Sequence, residues 1–487
     1  MSGPIAPATQ ASREPVIIII FGITGDLAQR KLLPALYHLF SAGLLHADSV
    51  ILGITRREVT ADELITNLRA SVSRDGAVPD EAGLDRLQAA LQMQQMSQTD
   101  GAEYDALLTH INDIEAGVGV CMNRLYYLSI PPQMFEPIIR NLGQHGHNAS
   151  CRHDKAQTRL LVEKPFGYDT KSAEALIDET AEWFREDQLF RIDHYVAKET
   201  VQNILAFRLF NPLFSTIWNN RHIASIDITA YEQITIEGRA AFYEGVGALR
   251  DFIQSHLLQL LTVATMELPK ELGSPAIHAA KQKLLRSIKP IQPDSVQRQA
   301  VRGQYEGYRD EVGDPDTNTE TYASLTVMID TERWQGVPMT IRTGKAMDRK
   351  LTDIRVAFKP SEDDVAGNDS ATNELVFNIQ PDEGISLHLN AKKPGFADEL
   401  QSVVMDFNYS QSFDAGGSGP TANPDAYERV LVDAARGDHT LFTTSDEVLS
   451  AWRIVENVLQ AWGRNGDDLV VYPKGASAVP QPDRPLV

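Results

Sequence analysis

Apolar residues near the start of the chain alternate between short unbroken runs and helical spacing. Val16–Phe21 is a continuous run of mainly β-branched residues, which is typical of a parallel strand buried on both faces. A glycine turn and a stretch of leucines at helical spacing follow, and residues 50–54 form a second apolar run. This order predicts a strand, a helix and a parallel strand in succession. Further buried strands are expected at residues 124–130 and 159–162.

Beyond about residue 190 the alternation gives way to strands without intervening helices, which favours an antiparallel sheet. The expected strands are residues 226–231, 322–329, 339–342, 353–358, 374–379 and 385–389, and an apolar helix is expected at 249–266. The pattern predicts an α/β domain followed by an α+β domain. Residues 1–14 would be a flexible tail, 15–190 a doubly wound sheet of Rossmann type, and 191–487 a larger domain with a mainly antiparallel sheet and helices.

The chain has 487 residues, with 45 basic and 66 acidic side chains and a formal net charge of −21. A general nucleic-acid binder needs a basic face, so this balance argues against one, while local cation clusters can still hold small anions. The longest apolar run is too short to span a bilayer. Cys121 and Cys151 are too few for a disulfide framework and lack metal-ligand spacing. We therefore expect a soluble cytoplasmic protein, in a reducing compartment, without metal, membrane or nucleic-acid partners.

The glycine turn after the first strand has the spacing Gly22-x-x-Gly25-x-x-Ala28. A dinucleotide diphosphate binds backbone N–H groups at a helix N-terminus, where glycines permit its close approach. Such a turn can also be purely structural, and its spacing differs from the standard G-x-G-x-x-G. Its position between a strand and a helix favours the dinucleotide site.

The second strand ends in Thr55-Arg56-Arg57, which bears on the choice of cofactor. An NAD site usually places an acid at this tip to hold the ribose, whereas an NADP site places an arginine against the 2′-phosphate. The two arginines favour NADP. A pair of solvated surface arginines, with Glu58 next to them, is the alternative.

The densest group of polar side chains lies within residues 191–199 and comprises Arg191, Asp193, His194, Tyr195 and Lys198. Together these side chains can bind a phosphate and orient a base. If residues 195–198 are helical, Tyr195 and Lys198 share one face. The alternative is a polar hinge between domains.

Two lysine motifs have an ordinary structural interpretation when each is taken alone. Lys164 lies in Glu163-Lys164-Pro165, beyond the carboxyl end of a buried strand, where ligands of open α/β sheets bind. We expect the peptide bond before Pro165 to be cis, because the proline lies in a tight turn. Lys345 and Lys350 follow a predicted strand as a basic turn. Alone, each motif is better explained as a solvated surface turn.

The expected apolar helix contains His256, with Asp251 near its start. A histidine at helical spacing from large apolar residues is more often a core residue than a catalytic one. An acid in the first turn of a helix ordinarily complements the helix dipole. These two residues alone therefore indicate no site.

Taken together, the motifs resemble the glucose-6-phosphate dehydrogenase family. The resemblance extends from about Val16 to Trp462, nearly the whole chain. Its most specific motifs are residues 22–28, 163–167, 191–195 with Lys198 and Glu199, and 342–345. The stretch around His194 is close to a family signature.

The resemblance implies oxidation of D-glucose 6-phosphate at C1 to 6-phospho-D-glucono-1,5-lactone, with hydride transfer to NADP and NAD as a secondary cofactor. This is the first step of the oxidative pentose phosphate pathway. The resemblance also implies a homodimer or homotetramer, with the sheet of the second domain as a face for dimerisation.

The resemblance also assigns roles to individual residues. The cofactor would be bound by Gly22, Thr24, Gly25, Asp26, Leu27, Arg56 and Lys164. The sugar phosphate would be bound by Lys164, His194, Tyr195, Lys198, Glu232, Asp251, Lys345 and Lys350. His256 would be the general base, paired with Asp193, which reverses its interpretation as a core residue. A carboxylate beside a histidine fixes its tautomer and stabilises the imidazolium that forms.

Three stretches depart from the family pattern near the expected sugar site. Ala240 and Ala241 replace glycines, Ser255 replaces an asparagine before the base, and residues 243–246 lack the usual acidic pair. The reaction type is therefore better supported than the sugar. Another NAD(P)-dependent hexose or hexose-phosphate dehydrogenase and a catalytically silent sugar-phosphate subunit are the alternatives.

Overall fold

The computed structural model describes residues 14–74, 78–98, 100–149, 156–360, 372–396, 399–412, 425–464 and 468–480. Apart from Glu14, the predicted tail lies outside the described residues. The chain divides into two compact units. Unit 1 comprises Met1–Gly167, Lys171–Ala197 and Gly417–Ser445, and unit 2 comprises Tyr168–Thr170, Lys198–Gly416 and Asp446–Val487. The predicted boundary at residue 190 stays a prediction, and unit 1 also takes in a late part of the chain.

Unit 1 contains a seven-stranded sheet in the order β15-β6-β5-β4-β1-β2-β3. Its strands are β1 (Val16–Phe21), β2 (Val50–Thr55), β3 (Leu91–Gln95), β4 (Asn123–Leu128), β5 (Thr158–Val162), β6 (Leu189–Ile192) and β15 (Phe442–Thr443). Strands β1 to β6 are parallel, and β15 is antiparallel to β6. The doubly wound α/β architecture predicted for this part of the chain is confirmed.

Helices cover both faces of this sheet, as the unbroken apolar run of β1 requires. Ile18 and Ile20 pack into one apolar layer and Ile17 and Ile19 into the other. The helices are α1 (Leu33–Ser41), α2 (Ala61–Arg74), α3 (Glu81–Ala90), α4 (Gly101–Val118), α5 (Phe135–Gln144), α6 (Thr170–Ala181) and α15 (Ala426–Arg436). A π-helical turn, Ala28–Leu32, leads into α1.

Unit 2 contains a nine-stranded sheet in the order β14-β13-β12-β11-β7-β10-β9-β8-β16. Its strands are β7 (Ile223–Tyr231), β8 (Ala300–Tyr305), β9 (Tyr322–Met328), β10 (Pro338–Gly344), β11 (Leu351–Phe358), β12 (Glu374–Gln380), β13 (Gly384–Lys392), β14 (Leu400–Asn408) and β16 (Leu469–Tyr472). Neighbouring strands are antiparallel except β7 with β10 and β8 with β16, which are parallel. The predicted, mainly antiparallel sheet is confirmed.

Two helices of unit 2 precede its first strand, and the others lie between its strands along the chain. They are α7 (Glu199–Phe210), α8 (Pro212–Ser215), α9 (Ala240–Tyr243), α10 (Leu258–Thr265), α11 (Ser274–Ser287), α12 (Val296–Gln299), α13 (Tyr308–Val312), α14 (Tyr409–Ser412) and α16 (Ser445–Arg464). The helix expected at residues 249–266 begins as a π-helical segment, Leu249–Leu257, and continues as α10.

Three global features bear on the expectations from composition. Among the described residues, no helix is long and apolar enough to cross a membrane. Among the same residues, no group of three or more histidine, cysteine or acidic side chains is arranged to hold a metal ion. Cys121 is disulfide-bonded, so the expectation of a reducing compartment receives no support from this residue. Cys151 lies outside the described residues, and a cytoplasmic location stays a prediction.

Candidate active site

The glycine turn of unit 1 follows β1, at the point where the sheet connections change direction between β1 and β4. Gly22 has a φ of +82°, and its N–H donates to the Ile54 carbonyl over 3.0 Å. A Cβ at Gly22 would lie 2.3 Å from the Ser129 carbonyl oxygen. Because both the backbone angle and the space exclude a side chain, the turn holds a bare backbone at the carboxyl ends of three strands. Ligands of doubly wound sheets bind at such a point.

Two neighbouring clefts, of about 550 and about 530 Å³, lie beside this turn. Thr24, Gly25 and Asp26 line the first cleft, and Thr24 also lines the second. Asp26 pairs with Arg30 one helical turn later over 2.7 Å, and both side chains are exposed. Leu27 packs against the apolar layer of unit 1. The structure therefore places the predicted cofactor residues of the turn together, with the side chain of Leu27 directed into the core.

The predicted 2′-phosphate residues lie at the exposed tip of β2. Arg57 lines the second cleft, and its N–H donates to the Thr55 hydroxyl over 3.1 Å. The Arg56 carbonyl accepts a hydrogen bond from Gln95 over 3.1 Å, and the Arg56 side chain is exposed. Both arginines are thus candidates for binding the 2′-phosphate. Arg57 is the one that lines the cleft beside the glycine turn.

Glu163 and Lys164 follow β5, and the Lys164–Pro165 peptide bond is cis, as predicted. The Tyr127 hydroxyl on the neighbouring strand β4 donates to Glu163 Oε1 over 2.6 Å. Tyr427 of α15 also interacts with this carboxylate. Burial raises the pKa of Glu163 to about 7. The turn that carries Lys164 is therefore anchored by a carboxyl group that titrates near neutrality.

Asp193 and His194 follow β6 on the other side of β5. The Tyr195 N–H donates to Asp193 Oδ1 over 3.0 Å, and Asp193 is 4% exposed. The His194 ring is stacked with Tyr427, at 6.1 Å between centroids and 15° between planes. Tyr427 therefore contacts both the motif of Lys164 and the motif of His194. Residues 194–197 form a turn, and α7 begins only at Glu199. Residues 195–198 are therefore not helical, and the shared helix face considered for Tyr195 and Lys198 is wrong.

In unit 2, Glu232 and Lys345 directly follow two neighbouring parallel strands, β7 and β10. The register pairs Tyr231 with Gly344, so the next residue of each strand leaves the sheet at the same edge. The Lys345 ammonium forms an ion pair with the Glu232 carboxylate over 2.5 Å. It also lies 5.1 Å from the centre of the Tyr243 ring. The interpretation of Lys345 as part of a solvated surface turn is therefore wrong, since Lys345 is buried and forms a charged pair with the partly buried Glu232.

The π-helical segment Leu249–Leu257 packs on β7, β9 and β10 and carries Asp251 and His256. His256 is 1% exposed, and its ring meets that of Phe252 edge to face at 5.3 Å. Burial raises the pKa of Tyr243, the tyrosine that contacts Lys345, and the negative charge of Asp251 raises it further. Asp251 and Lys345 therefore both act electrostatically on Tyr243. Their common role in a sugar site stays a prediction.

Two further predicted cations occupy different surroundings in unit 2. Lys198 precedes α7, and its ammonium donates to the side-chain carbonyl of Gln380 at the end of β12. Gln380 in turn donates to the Thr352 hydroxyl over 3.0 Å. Lys350 is exposed directly before β11. Lys198 is thus held in a defined position, whereas Lys350 has the surroundings of a surface lysine.

The predicted residues are divided between the two units. Unit 1 contains Gly22, Thr24, Gly25, Asp26, Leu27, Arg56, Lys164, Asp193, His194 and Tyr195, and unit 2 contains Lys198, Glu232, Asp251, His256, Lys345 and Lys350. The predicted pairing of Asp193 with His256 joins residues of different units and stays a prediction.

Sequence reasoning missed several residues that hold the predicted ones in place. Tyr127 and Tyr427 hold Glu163, and Gln380 holds Lys198. A tyrosine inside a buried strand requires a partner for its hydroxyl, so Tyr127 carried a usable signal. Tyr427 and Gln380 approach from distant parts of the chain, where nothing local indicates a role.

Comparisons with known proteins show the family to which the chain is similar. Residues 19–203 match the family model for the NAD binding domain of glucose-6-phosphate dehydrogenase, and residues 205–484 match that for its C-terminal domain. The chain is 38% identical over 464 residues to glucose-6-phosphate 1-dehydrogenase of Aggregatibacter actinomycetemcomitans, covering 93% of this chain and 92% of the relative. It is 37% identical over 485 residues to that of Bacillus subtilis, covering 97% and 96%.

Solved structures also resemble the chain over most of its length. A glucose-6-phosphate dehydrogenase in complex with its substrate glucose-6-phosphate has a TM-score of 0.87 at 32% identity, with 96% of each chain covered. The glucose-6-phosphate 1-dehydrogenase from Mycobacterium avium has a TM-score of 0.79 at 33% identity, also with 96% of each chain covered.

Proposed function

Because the chain belongs to the glucose-6-phosphate dehydrogenase family, we propose that it oxidises D-glucose 6-phosphate at C1 to 6-phospho-D-glucono-1,5-lactone, with NADP as the hydride acceptor. The family establishes a dehydrogenase with a nicotinamide cofactor. The preference for NADP over NAD is supported by Arg56 and Arg57 at the tip of β2, where an NAD site would carry an acid.

The cofactor site that we propose is the turn after β1. The bare backbone at Gly22 and Gly25 would let a diphosphate approach the start of a helix, and a side chain at Gly22 would distort the turn by overlapping the Ser129 carbonyl. Arg56 and Arg57 would hold the 2′-phosphate from the tip of β2. A nicotinamide cofactor held there would supply the acceptor for the hydride from C1. Lys164, on its anchored turn beyond β5, would contact both the cofactor and the sugar.

The sugar site that we propose combines cations for the phosphate with polar groups for the ring. Contacts to the 6-phosphate would come from His194, Tyr195 and Lys198, and contacts to the sugar hydroxyls from Glu232, Asp251, Lys345 and Lys350. The Glu232–Lys345 ion pair would rearrange around the sugar, with hydroxyl groups donating to the Glu232 carboxylate and accepting from the Lys345 ammonium.

His256 would take the proton from the C1 hydroxyl while the C1 hydride leaves, so that the C1–O1 bond becomes the lactone carbonyl. Neutral imidazole has a pKa near the working pH and suits this task. Asp193 would be the carboxylate that orients it.

One observation carries the proposal most directly. The parallel pair β7 and β10 places Glu232 and Lys345 at one sheet edge, and the segment with Asp251 and His256 packs on the same strands. A charged pair and a histidine base then serve one small polar ligand.

A second candidate, a dehydrogenase for another hexose or hexose phosphate, has one observation in its favour. Ser255, where the family has asparagine, has a buried hydroxyl without a hydrogen-bond partner among the described residues. It lies next to the proposed base, so a different sugar could use this hydroxyl.

A panel of sugars and cofactors on the purified protein tests the proposal. We expect NADPH formation with glucose 6-phosphate to exceed NADH formation and to exceed turnover of other hexose phosphates. Preferential turnover of a different hexose would favour the second candidate. Tight binding of glucose 6-phosphate without reduction of either cofactor would instead indicate a silent binding subunit.

A homodimer or homotetramer is also proposed. Strand β14 ends one side of the unit 2 sheet and exposes Leu400, Val404 and Met405. Exposed apolar side chains on an edge strand favour pairing with a second copy. Light scattering after size-exclusion chromatography would show a monomer if this proposal is wrong.

A further inference from the structure

The segment Leu249–Leu257 is π-helical, with hydrogen bonds from each residue to the fifth residue before it. Asp251 and His256 are five residues apart. In an α-helix, two such residues would lie about 140° apart around the axis. In a π-helix, the wider turn brings them close to one face. The proposed contact to the sugar and the proposed base therefore depend on this helical form.

The N-terminal end of the segment is held by Glu320, a residue shortly before β9. The Leu249 N–H donates to Glu320 Oε1 over 3.0 Å, and the Ala248 N–H donates to the Glu320 carbonyl over 2.9 Å. Glu320 is 6% exposed. Ala248, the N-cap residue, has no polar side chain of its own. The cap that a serine or aspartate would normally supply thus comes from a distant carboxylate.

Gly247 allows this carboxylate to come close. It has a φ of +73°, and a Cβ there would lie 2.3 Å from Glu320 Oε1. The carboxylate therefore sits directly over the first turn, where the helix dipole favours negative charge.

A second contact ties the same two stretches of chain together. The hydroxyls of Thr317 and Thr319 each donate to Glu244 Oε1 over 2.6 Å, and the Tyr308 hydroxyl donates to Glu244 Oε2 over 2.8 Å. Residues 317–320 thus hold the loop before the segment at Glu244 and the first turn at Leu249.

The other end of the continuous helix is capped by buried donors. Arg208 donates to the carbonyls of Val263 and Met266 over 2.7 and 2.6 Å. Two tryptophan indoles donate to the intervening carbonyls of Ala264 and Thr265. Since the C-terminal end is fixed in this way, the position of the first turn is decided by what binds its N-terminal end.

We propose that Glu320 is a positioning residue, which fixes the first π-helical turn and thereby places Asp251 and His256 on one face toward the sugar. The roles of Asp251 and His256 rest on the proposed function. Glu320 acts through the backbone of Leu249 and Ala248.

The test compares Glu320→Ala and Glu320→Gln with wild type, and uses Glu311→Ala as the matched control. Glu311 also accepts two hydroxyl hydrogen bonds in unit 2, from Tyr305 and Thr235, and neither of these partners belongs to the segment Leu249–Leu257. Each protein is assayed for kcat and for KM toward glucose 6-phosphate and NADP. Hydrogen–deuterium exchange of the amides of Leu249–Leu257 is measured without ligands.

Loss of the acceptor in Glu320→Ala should lower kcat by about ten- to a hundred-fold, since small displacements of reacting groups are costly. Its KM for NADP should not change, and its amides at Leu249–Leu257 should exchange faster. Glu320→Gln should restore most of the turnover, because its amide oxygen can accept the same hydrogen bond. Glu311→Ala should behave as wild type in kcat and in segment exchange.

Wild-type kcat in Glu320→Ala, or equal loss in Glu320→Gln and Glu320→Ala, would overturn the inference. If Glu320→Ala does not fold, Glu320→Asp replaces it, because its shorter side chain keeps the charge but not the reach. Glu320→Asp should then turn over more slowly than Glu320→Gln, and the reverse order would overturn the inference. If wild type does not oxidise glucose 6-phosphate, the proposed function fails, while the exchange data still decide whether Glu320 holds the segment.

Discussion

The turn after β1 in unit 1 and the segment Leu249–Leu257 in unit 2 both begin a helix that faces a proposed ligand, yet they are built differently. The turn depends on its own glycines, with Gly22 packed against the backbone of neighbouring strands. The segment depends on Glu320, 71 residues later in the chain than the amide it caps. A site built from local backbone can be inferred from a short motif, whereas a site held by distant side chains cannot.

The largest effect is expected from replacing His256, the proposed base in the segment Leu249–Leu257. His256→Asn should lower kcat by about 10²- to 10⁴-fold, the usual contribution of general base catalysis. Binding of glucose 6-phosphate, measured by calorimetry, should persist because the phosphate contacts are unchanged. Turnover at the wild-type rate would remove His256 from the mechanism and leave it as a core residue.

The next effect tests the turn, with a matched glycine as control. Gly22 and Gly119 have φ of +82° and +83°, but a Cβ at Gly119 would meet nothing within 4 Å. Left-handed backbone costs alanine about 1–2 kcal/mol at either position. Gly22→Ala adds the overlap with Ser129, so it should raise the KM for NADP and lower the Tm well beyond Gly119→Ala. Equal effects would show that the close approach at Gly22 is unimportant.

A smaller effect is expected at the tip of β2, where Arg56 and Arg57 are proposed to bind the 2′-phosphate of the cofactor. Arg56→Ala should reduce the preference for NADP over NAD by about ten-fold or more, since a charge-assisted hydrogen bond contributes about 1.5–3 kcal/mol. Arg57→Ala is the natural companion, because Arg57 lines the cleft beside the turn. If each variant weakens NADP and NAD equally, neither arginine contacts the 2′-phosphate.

The last effect is on stability rather than on turnover, and it concerns the carboxyl group of Glu163, the residue before Lys164. Burial raises the pKa of Glu163 from 4.5 to about 7, so the folded chain binds this proton more tightly than the unfolded chain. Its contribution to stability is therefore present at low pH and is lost as pH rises from about 4.5 to about 7. Glu163→Gln stays neutral and should gain in free energy of unfolding relative to wild type, by at most about 3 kcal/mol, across that range. Thermal melts at pH 5 and pH 8 measure the difference in stability between Glu163→Gln and wild type. A difference that shrinks as pH rises would contradict the raised pKa of Glu163.

Much of the fold followed from apolar runs, because a strand buried on one or both faces must carry them. β3 was missed for the opposite reason. Gln92, Gln94 and Gln95 lie at the edge of the sheet, where backbone pairing with β2 alone defines the strand. The π-helical form of Leu249–Leu257 was also not foreseen, since its apolar spacing is compatible with an ordinary α-helix.

The candidate site divides in the same way. Gly22 and Arg56 lie at positions that a strand–turn–helix pattern identifies on its own. Tyr427, Gln380 and Glu320 hold functional residues from distant parts of the chain, and their roles depend on tertiary contacts that no local spacing records. The predicted partnership of Asp193 with His256 is of this second kind and awaits the kinetic test.

The central claim is that an acidic chain concentrates a few cations to recognise a phosphorylated sugar. The most direct measurement is kcat/KM of the wild-type protein with NADP for glucose 6-phosphate and for unphosphorylated glucose. If His194 and Lys198 bind the phosphate, glucose 6-phosphate should be preferred by at least about a hundred-fold, the value of one or two charge-assisted contacts. Equal efficiency with the two sugars would contradict the account.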